Sequence, residues 1–263
     1  MRRPFALIAL VSIASAQAAT LTPEIIQQFD SYIHELEARL SPRFQGEHFL
    51  WSDQSTAARN ELAAGQVAVE PAKGKGMTEI KGGMIQDWQG AIFIKGVNLD
   101  QVMRIVQDYG NDAKYYSPDV TMSKVISHDG DHWSIVMRTL TSKLLLTDVL
   151  ETQDDITFKH LDAKTAYSTS KSTRIQELAN PDKRNEHLLP EGHDRGLLWR
   201  LYEYWFYKER DGGVYVECES VTLTRDVPLG MAAVVAPIFR DVPGESLRSG
   251  LEHTRQAVLS AAD

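Results

Sequence analysis

The chain has 263 residues, with 28 Lys+Arg against 36 Asp+Glu, a formal charge of −8 and one cysteine. Its 43% hydrophobic and 24% charged content is that of a globular protein and excludes disorder, collagen and coiled-coil arrays. The single Cys rules out an internal disulfide framework and a cysteine-based zinc site, and the acidic balance argues against a nucleic-acid partner, which needs a basic face for phosphates.

In chain order, the first element is a leader. Arg2 and Arg3, an apolar run from Pro4 to Ile13, and small residues ending Ala16-Gln17-Ala18 have the three-part layout of a secretory signal peptide. Its apolar core is too short to span a bilayer. Cleavage after Ala18 takes 263 residues to 245 and, with two arginines lost, the charge from −8 to −10. No cysteine follows the cleavage region, which excludes a lipoprotein anchor, and no later stretch reaches the ~20 apolar residues of a transmembrane anchor. The expectation is an exported protein, periplasmic or secreted.

Residues 22–40 predict an amphipathic helix on Ile25, Ile26, Phe29, Ile33, Leu36 and Leu40, capped by Thr22, opened by Pro23 and stopped by Ser41-Pro42. A shorter helix is expected over 55–64, and Pro71 to Gly76 reads as a linker, so 19–76 form a helical extension and linker. From residue 77 the period becomes two. A strand at 84–95 leads into a helix at 98–109 opened by Asn98. After the turn Tyr115-Tyr116-Ser117-Pro118, Asp129-Gly130 joins strands 120–128 and 131–141, pairing Met122, Lys124 and Ile126 with Met137, Ile135 and Trp133. Strands at 144–151, 154–161 and 164–178 continue the meander, followed by a polar loop from Asn180 to Asp194. A second hairpin, 197–210 and 213–225, turns at Asp211-Gly212-Gly213. Pro228 and Pro237 bracket an apolar segment, and a last helix follows Pro243, aligning Leu247, Leu251, Thr254 and Val258. The fold class is α+β: a curved antiparallel β-sheet gripping a long C-terminal helix, with an N-terminal helical extension. Sheet and helix can leave a cavity between them.

Particular residues carry a family resemblance. Trp88-Gln89-Gly90-Ala91 enters a strand, a helix ends at Asp108-Tyr109, Tyr115 to Pro118 and the Asp129-Gly130 hairpin follow, and Glu209 to Glu217 precede the closing helix. Together, over roughly residues 78–261, they resemble the START-like (SRPBCC) helix-grip superfamily of lipid-transfer domains, polyketide cyclases and pollen allergens. The resemblance implies a START-like domain at 77–263 with a cavity for a lipid or other apolar ligand; it implies no shared catalytic set.

The candidate ligand wall is the aromatic strand Leu197–Lys208. With a two-residue turn at Asp211-Gly212, Trp205 lies opposite Cys218 and Glu203 opposite Ser220; a bulge at Gly213 would make Phe206 the partner of Cys218. The first register presents Trp199, Glu203, Trp205 and Tyr207 on one face, beside Cys218. A small buried thiol flanked by glutamates suits packing better than nucleophilic chemistry, which needs a base or a positive field. Of the in-strand charges Arg138, Lys171, Arg174, Glu203 and Glu219, one facing an apolar cavity would orient a head group or act as acid or base. His128-Asp129-Gly130-Asp131-His132 has metal-ligand types, but a hairpin turn alone rarely closes a coordination sphere. No H-E-x-x-H, P-loop, G-x-G-x-x-G or G-x-S-x-G occurs. The sequence thus names no catalytic residue, metal site or cofactor, and points to binding or carriage of a hydrophobic or amphiphilic small molecule. A cyclase- or hydrolase-type enzyme in the same cavity, and a protein-interaction module docking through the 22–40 helix, are the alternatives.

Overall fold

The computed structural model describes residues 20–143, 146–181, 183–191, 193–194, 198–225 and 232–262; the leader at 1–18 and Pro228 lie outside the described residues. Helix α1 (Pro23–Phe44) starts as its sequence dictates, with the Thr22 hydroxyl accepting from the Ile25 amide at 3.4 Å. It runs through Pro42 rather than stopping there, because buried Leu40 and Arg43 hold its last turn against the sheet. Helix α2 (Thr56–Ala63) is capped by Ser55.

Strands β1 (Ala68–Pro71), β2 (Met77–Ile80) and β3 (Gly83–Lys95) follow. Only the turn between β1 and β2 matches the expected linker, since β1 pairs antiparallel with β3 from Ala68↔Ala91 to Pro71↔Trp88. Helix α3 (Leu99–Val106) opens with a capping box between Asn98 and Gln101, and a short α4 (Asp112–Tyr115) leads into the meander. The meander comprises β4 (Val120–Asp129), β5 (His132–Lys143), β6 (Leu146–Asp162), β7 (Thr165–Ala179), a two-residue β8 (His187–Leu188), β9 (Arg200–Arg210) and β10 (Gly213–Arg225). Helix α5 (Ala232–Ala262) closes the chain. Strand order is β1-β3-β10-β9-β7-β6-β5-β4, with β2 on β3 and β8 on β7.

Three elements depart from expectation. The β4–β5 corner is Gly130-Asp131, with Gly130 at φ +56°, so pairing slips by one and a bulge follows. Ser123 rather than Met122 therefore faces Met137, and Ile126 is left 53% exposed. The expected strands 144–151 and 154–161 are one strand, β6, which runs unbroken through Thr152-Gln153; the extra residue where its register with β7 shifts is Thr173, on β7. Helix α5 begins at Ala232, through Pro237 and Pro243. Gly244 makes its close seat possible: a Cβ there would lie 2.9 Å from the Trp88 ring.

The sheet has an inner face toward α5 and an outer face toward α1. Inside, Ile92, Ile94, Val214, Val216 and Tyr207 pack with Leu247, Leu251 and Val258 of α5 and with α3. Outside, Ile25, Phe29, Ile33, Leu36 and Leu40 of α1 pack on Ile85, Tyr204, Phe206, Val221 and Leu223. The apolar stripe of α1 is thus spent on its own sheet. This is a correction to the docking alternative, which needs that stripe free for a partner.

Candidate functional site

Strand alternation sorts the candidate residues between the two faces. The β9–β10 hairpin turns on Asp211 and Gly212, at φ +56° and +75°, and its register sets Cys218 opposite Trp205 and Ser220 opposite Glu203. Glu203, Trp205, Tyr207 and Cys218 consequently share the inner face. Trp199 does not join them. It precedes the pleat of β9, its amide bonds the Leu223 carbonyl at 2.7 Å, and its ring is 1% exposed in the core beneath α1. The expectation for Trp199 is corrected accordingly: parity holds only within a strand, and the strand starts at Arg200.

The four inner residues are not equivalent. Cys218 is fully buried between Trp205 and Gly90 in neighbouring strands, and burial pushes its thiol well above the usual range. It is sealed because a Cβ on Gly90 would sit only 2.7 Å from Leu251 of α5. Tyr207 is buried too, its hydroxyl 3.5 Å from Ser168. Trp205 and Glu203 keep accessible surface although protein surrounds Glu203. Such a group sits among protein atoms without being sealed by them.

Around Glu203 stand residues that sequence reasoning did not assign to a site. Glu203 is paired across β7 with Ser170, which in turn pairs with Ile156, and Ile156 with Trp133. Ser168, Ser170 and Ser172 give β7 a floor of small hydroxyls, with bulky neighbours Trp205, Trp133 and Met137 partly accessible on either side. Helix α5 packs mainly on β1, β3, β10, α3 and α4, which leaves this part of the inner face beside it. Tyr116 approaches from the far side, its hydroxyl bonded to Thr254 of α5 at 3.1 Å.

Electrostatically the inner site is acidic. Burial, opposed by the Trp205 indole N–H at 3.2 Å and aided by Asp154, raises the Glu203 carboxyl to about 7. Burial likewise raises Asp154, which accepts from the Thr152 hydroxyl at 2.6 Å, to about 6. The other in-strand charges lie elsewhere. Glu219 is under α1 with Arg39, Lys171 pairs with Glu37 at 2.6 Å, and Arg138 pairs with Glu151 at 2.8 Å. Arg174 is exposed. His128 stacks on Trp133 at 3.5 Å and bonds the Gly130 carbonyl, and His132 bonds Thr157. A separate crevice of about 400 Å³ lies between the end of α1 and β1, near Arg39, His48, Trp51 and Glu70. Its arginines are already committed to Glu219 and Glu217.

A sheet gripping its C-terminal helix is the helix-grip architecture that the resemblance implies; the N-terminal helix on the opposite face lies outside the residues that carry it. No protein-family model matches the chain, and no curated protein matches its sequence. Among solved structures it is similar to TTHA0849 from Thermus thermophilus, at 12% identity and TM-score 0.48, over 66% of this chain and 98% of that one. It is also similar to a STAR-related lipid transfer protein from Xanthomonas axonopodis (15% identity, TM-score 0.40, 67% and 99% covered). A third is the Zhui aromatase/cyclase from Streptomyces sp. R1128, at 10% identity and TM-score 0.43, covering 68% and 96%.

Proposed function

We propose that the protein is an exported, non-catalytic carrier of an apolar or amphiphilic small molecule held between the inner sheet face and α5. One observation carries this reading: Trp205, Trp133 and Met137 keep accessible surface beside α5 instead of being sealed by it. Apolar walls with a few polar groups are what a small-molecule site needs. Export rests on the leader of residues 1–18. Native mass spectrometry of the purified protein tests carriage: a copurifying small molecule, depleted in Trp205→Ala, is the expected result. A protein that is consistently empty and binds no apolar probe would sink the proposal. Cell fractionation with N-terminal sequencing tests export, with Ala19 expected as the first residue.

The enzyme alternative draws on Glu203 and Asp154, two carboxyls raised toward neutrality on one face, a pattern that acid–base catalysis uses. The two readings separate on Glu203→Gln. A carrier keeps its binding of an apolar probe in that variant, whereas an enzyme relying on this carboxyl loses turnover while still retaining substrate.

A further inference from the structure

We infer that the inner site, on the carrier reading above, selects an amphiphile whose polar end is an uncharged or cationic hydrogen-bond donor, and rejects carboxylate and phosphate heads. Charge comes first. Across the inner positions of β3, β10, β9, β7, β6 and β5, from Trp88 to Met137, the sequence places aliphatics, aromatics, small hydroxyls and carboxyls (Glu203 and Asp154, with Glu177 and Glu209 toward the strand ends), and no lysine or arginine. The described basic residues of α5 are turned elsewhere: Arg248 donates to the Val67 carbonyl at 2.6 Å and Arg255 to the Gly65 carbonyl at 2.9 Å. His253 of that helix lies beside Tyr116 with its Nδ1 3.8 Å from Asp119.

An anionic head entering this space would lose its hydration, meet no lysine or arginine on those strand positions, and stand near Glu203 and Asp154. Like-charge juxtaposition of that kind discriminates strongly between partners. A donor head finds the opposite. Glu203 receives one bond, from Trp205, and a carboxyl offers several acceptor sites. Ser170, its cross-strand neighbour, adds a hydroxyl with accessible surface. The aromatic wall of Trp205, Trp133 and Met137 supplies the apolar contact that any amphiphile would share, so head chemistry alone decides the ranking.

The test uses three probes with one chain length: hexadecanol, hexadecylamine and hexadecanoic acid. Each displaces a fluorescent apolar reporter from the purified protein at neutral pH. Alcohol and amine are expected to bind at least about tenfold tighter than the acid. In Glu203→Gln the amine should weaken relative to the alcohol, and the acid should recover part of its deficit. An acid that binds the unaltered protein as well as the alcohol overturns the inference while leaving carriage standing. If the reporter and all three probes fail to bind, carriage itself falls, and the inference with it. The alcohol-to-amine ratio separates a hydroxyl-headed ligand from an ammonium-headed one.

Discussion

On the outer face of the sheet, Glu217 has the Arg43 guanidinium at 2.7 Å and the backbone amides of Trp51 and Ser52 at 2.9 and 3.1 Å. On the inner face, Glu203 has one indole N–H at 3.2 Å. Both carboxyls sit among apolar residues on adjacent strands of one sheet, so the difference is one of use. The outer charges fasten α1: Arg43 also bonds the Phe49 carbonyl and lies 3.6 Å over the Phe206 ring. Arg39 bridges Glu219 and Asp87, and Asp87 accepts from Tyr32 at 2.7 Å. The inner carboxyls tie no second element down: Glu203 bonds Trp205 and Asp154 bonds Thr152, each within its own strand.

The largest effect should come from breaking the outer network at its most buried point. Arg43→Ala leaves the fully buried Glu217 without its cation, and breaking such a pair costs about 3–5 kcal/mol. Urea unfolding should register that loss, whereas Arg43→Met combined with Glu217→Gln, which removes the buried charge but keeps an acceptor for the Trp51 and Ser52 amides, should recover much of it. A small loss in the single variant would erase the contrast between the faces.

Glu203 should act in the opposite direction. Its folded value of about 7 lies above the ordinary 4.5, so the neutral form is favoured in the fold. Its contribution is fully present below 4.5 and is lost as pH rises to about 7, a decline of roughly 3 kcal/mol. Glu203→Gln should flatten that part of the stability-against-pH curve and make the protein more stable than the parent at neutral pH. Unfolding midpoints across that range check it; parallel curves would mean that Glu203 is solvated.

Between these faces lies the seam where α5 meets the sheet. Gly90→Ala would place a methyl 2.7 Å from Leu251 Cδ1 and 3.1 Å from Leu247. Overpacking of that size costs about 1–3 kcal/mol. Hydrogen exchange should show faster opening of α5 with α1 unchanged, which would demonstrate that the two covers are anchored separately.

Most of this was legible where local chemistry is strong. Asp211-Gly212 sets the β9–β10 register, since both residues accept positive φ, and with it the shared face of Glu203, Trp205, Tyr207 and Cys218. Thr22, Ser55 and Asn98 mark the starts of their helices. What was hidden depends on tertiary packing. The sequence pattern sets Asp154 at the start of a strand; continuous pairing with β5 instead keeps it inside β6, on the inner face. Trp199 lies just before its strand and turns to the other core. The pairing of Arg43 with Glu217 joins residues 174 positions apart and leaves no local signature.

The smallest effect should come from an outer pair that looks, by distance, stronger than the first. Lys171 lies 2.6 Å from Glu37, closer than Arg43 to Glu217, and its ammonium sits 5.5 Å from the Tyr202 ring. Yet its side chain is 40% exposed and that of Glu37 36%, so water already solvates both charges. Removing Lys171 strands nothing, because Glu37 keeps the Tyr204 hydroxyl at 2.9 Å. Lys171→Met should therefore shift stability by only about 0–1 kcal/mol, and less at high salt. Measured beside Arg43→Ala at two salt concentrations, it separates the effect of burial from that of distance. A loss from Lys171→Met approaching that of Arg43→Ala would mean that the outer face is held by the number of its charges, and the contrast with Glu203 would have to rest on geometry alone.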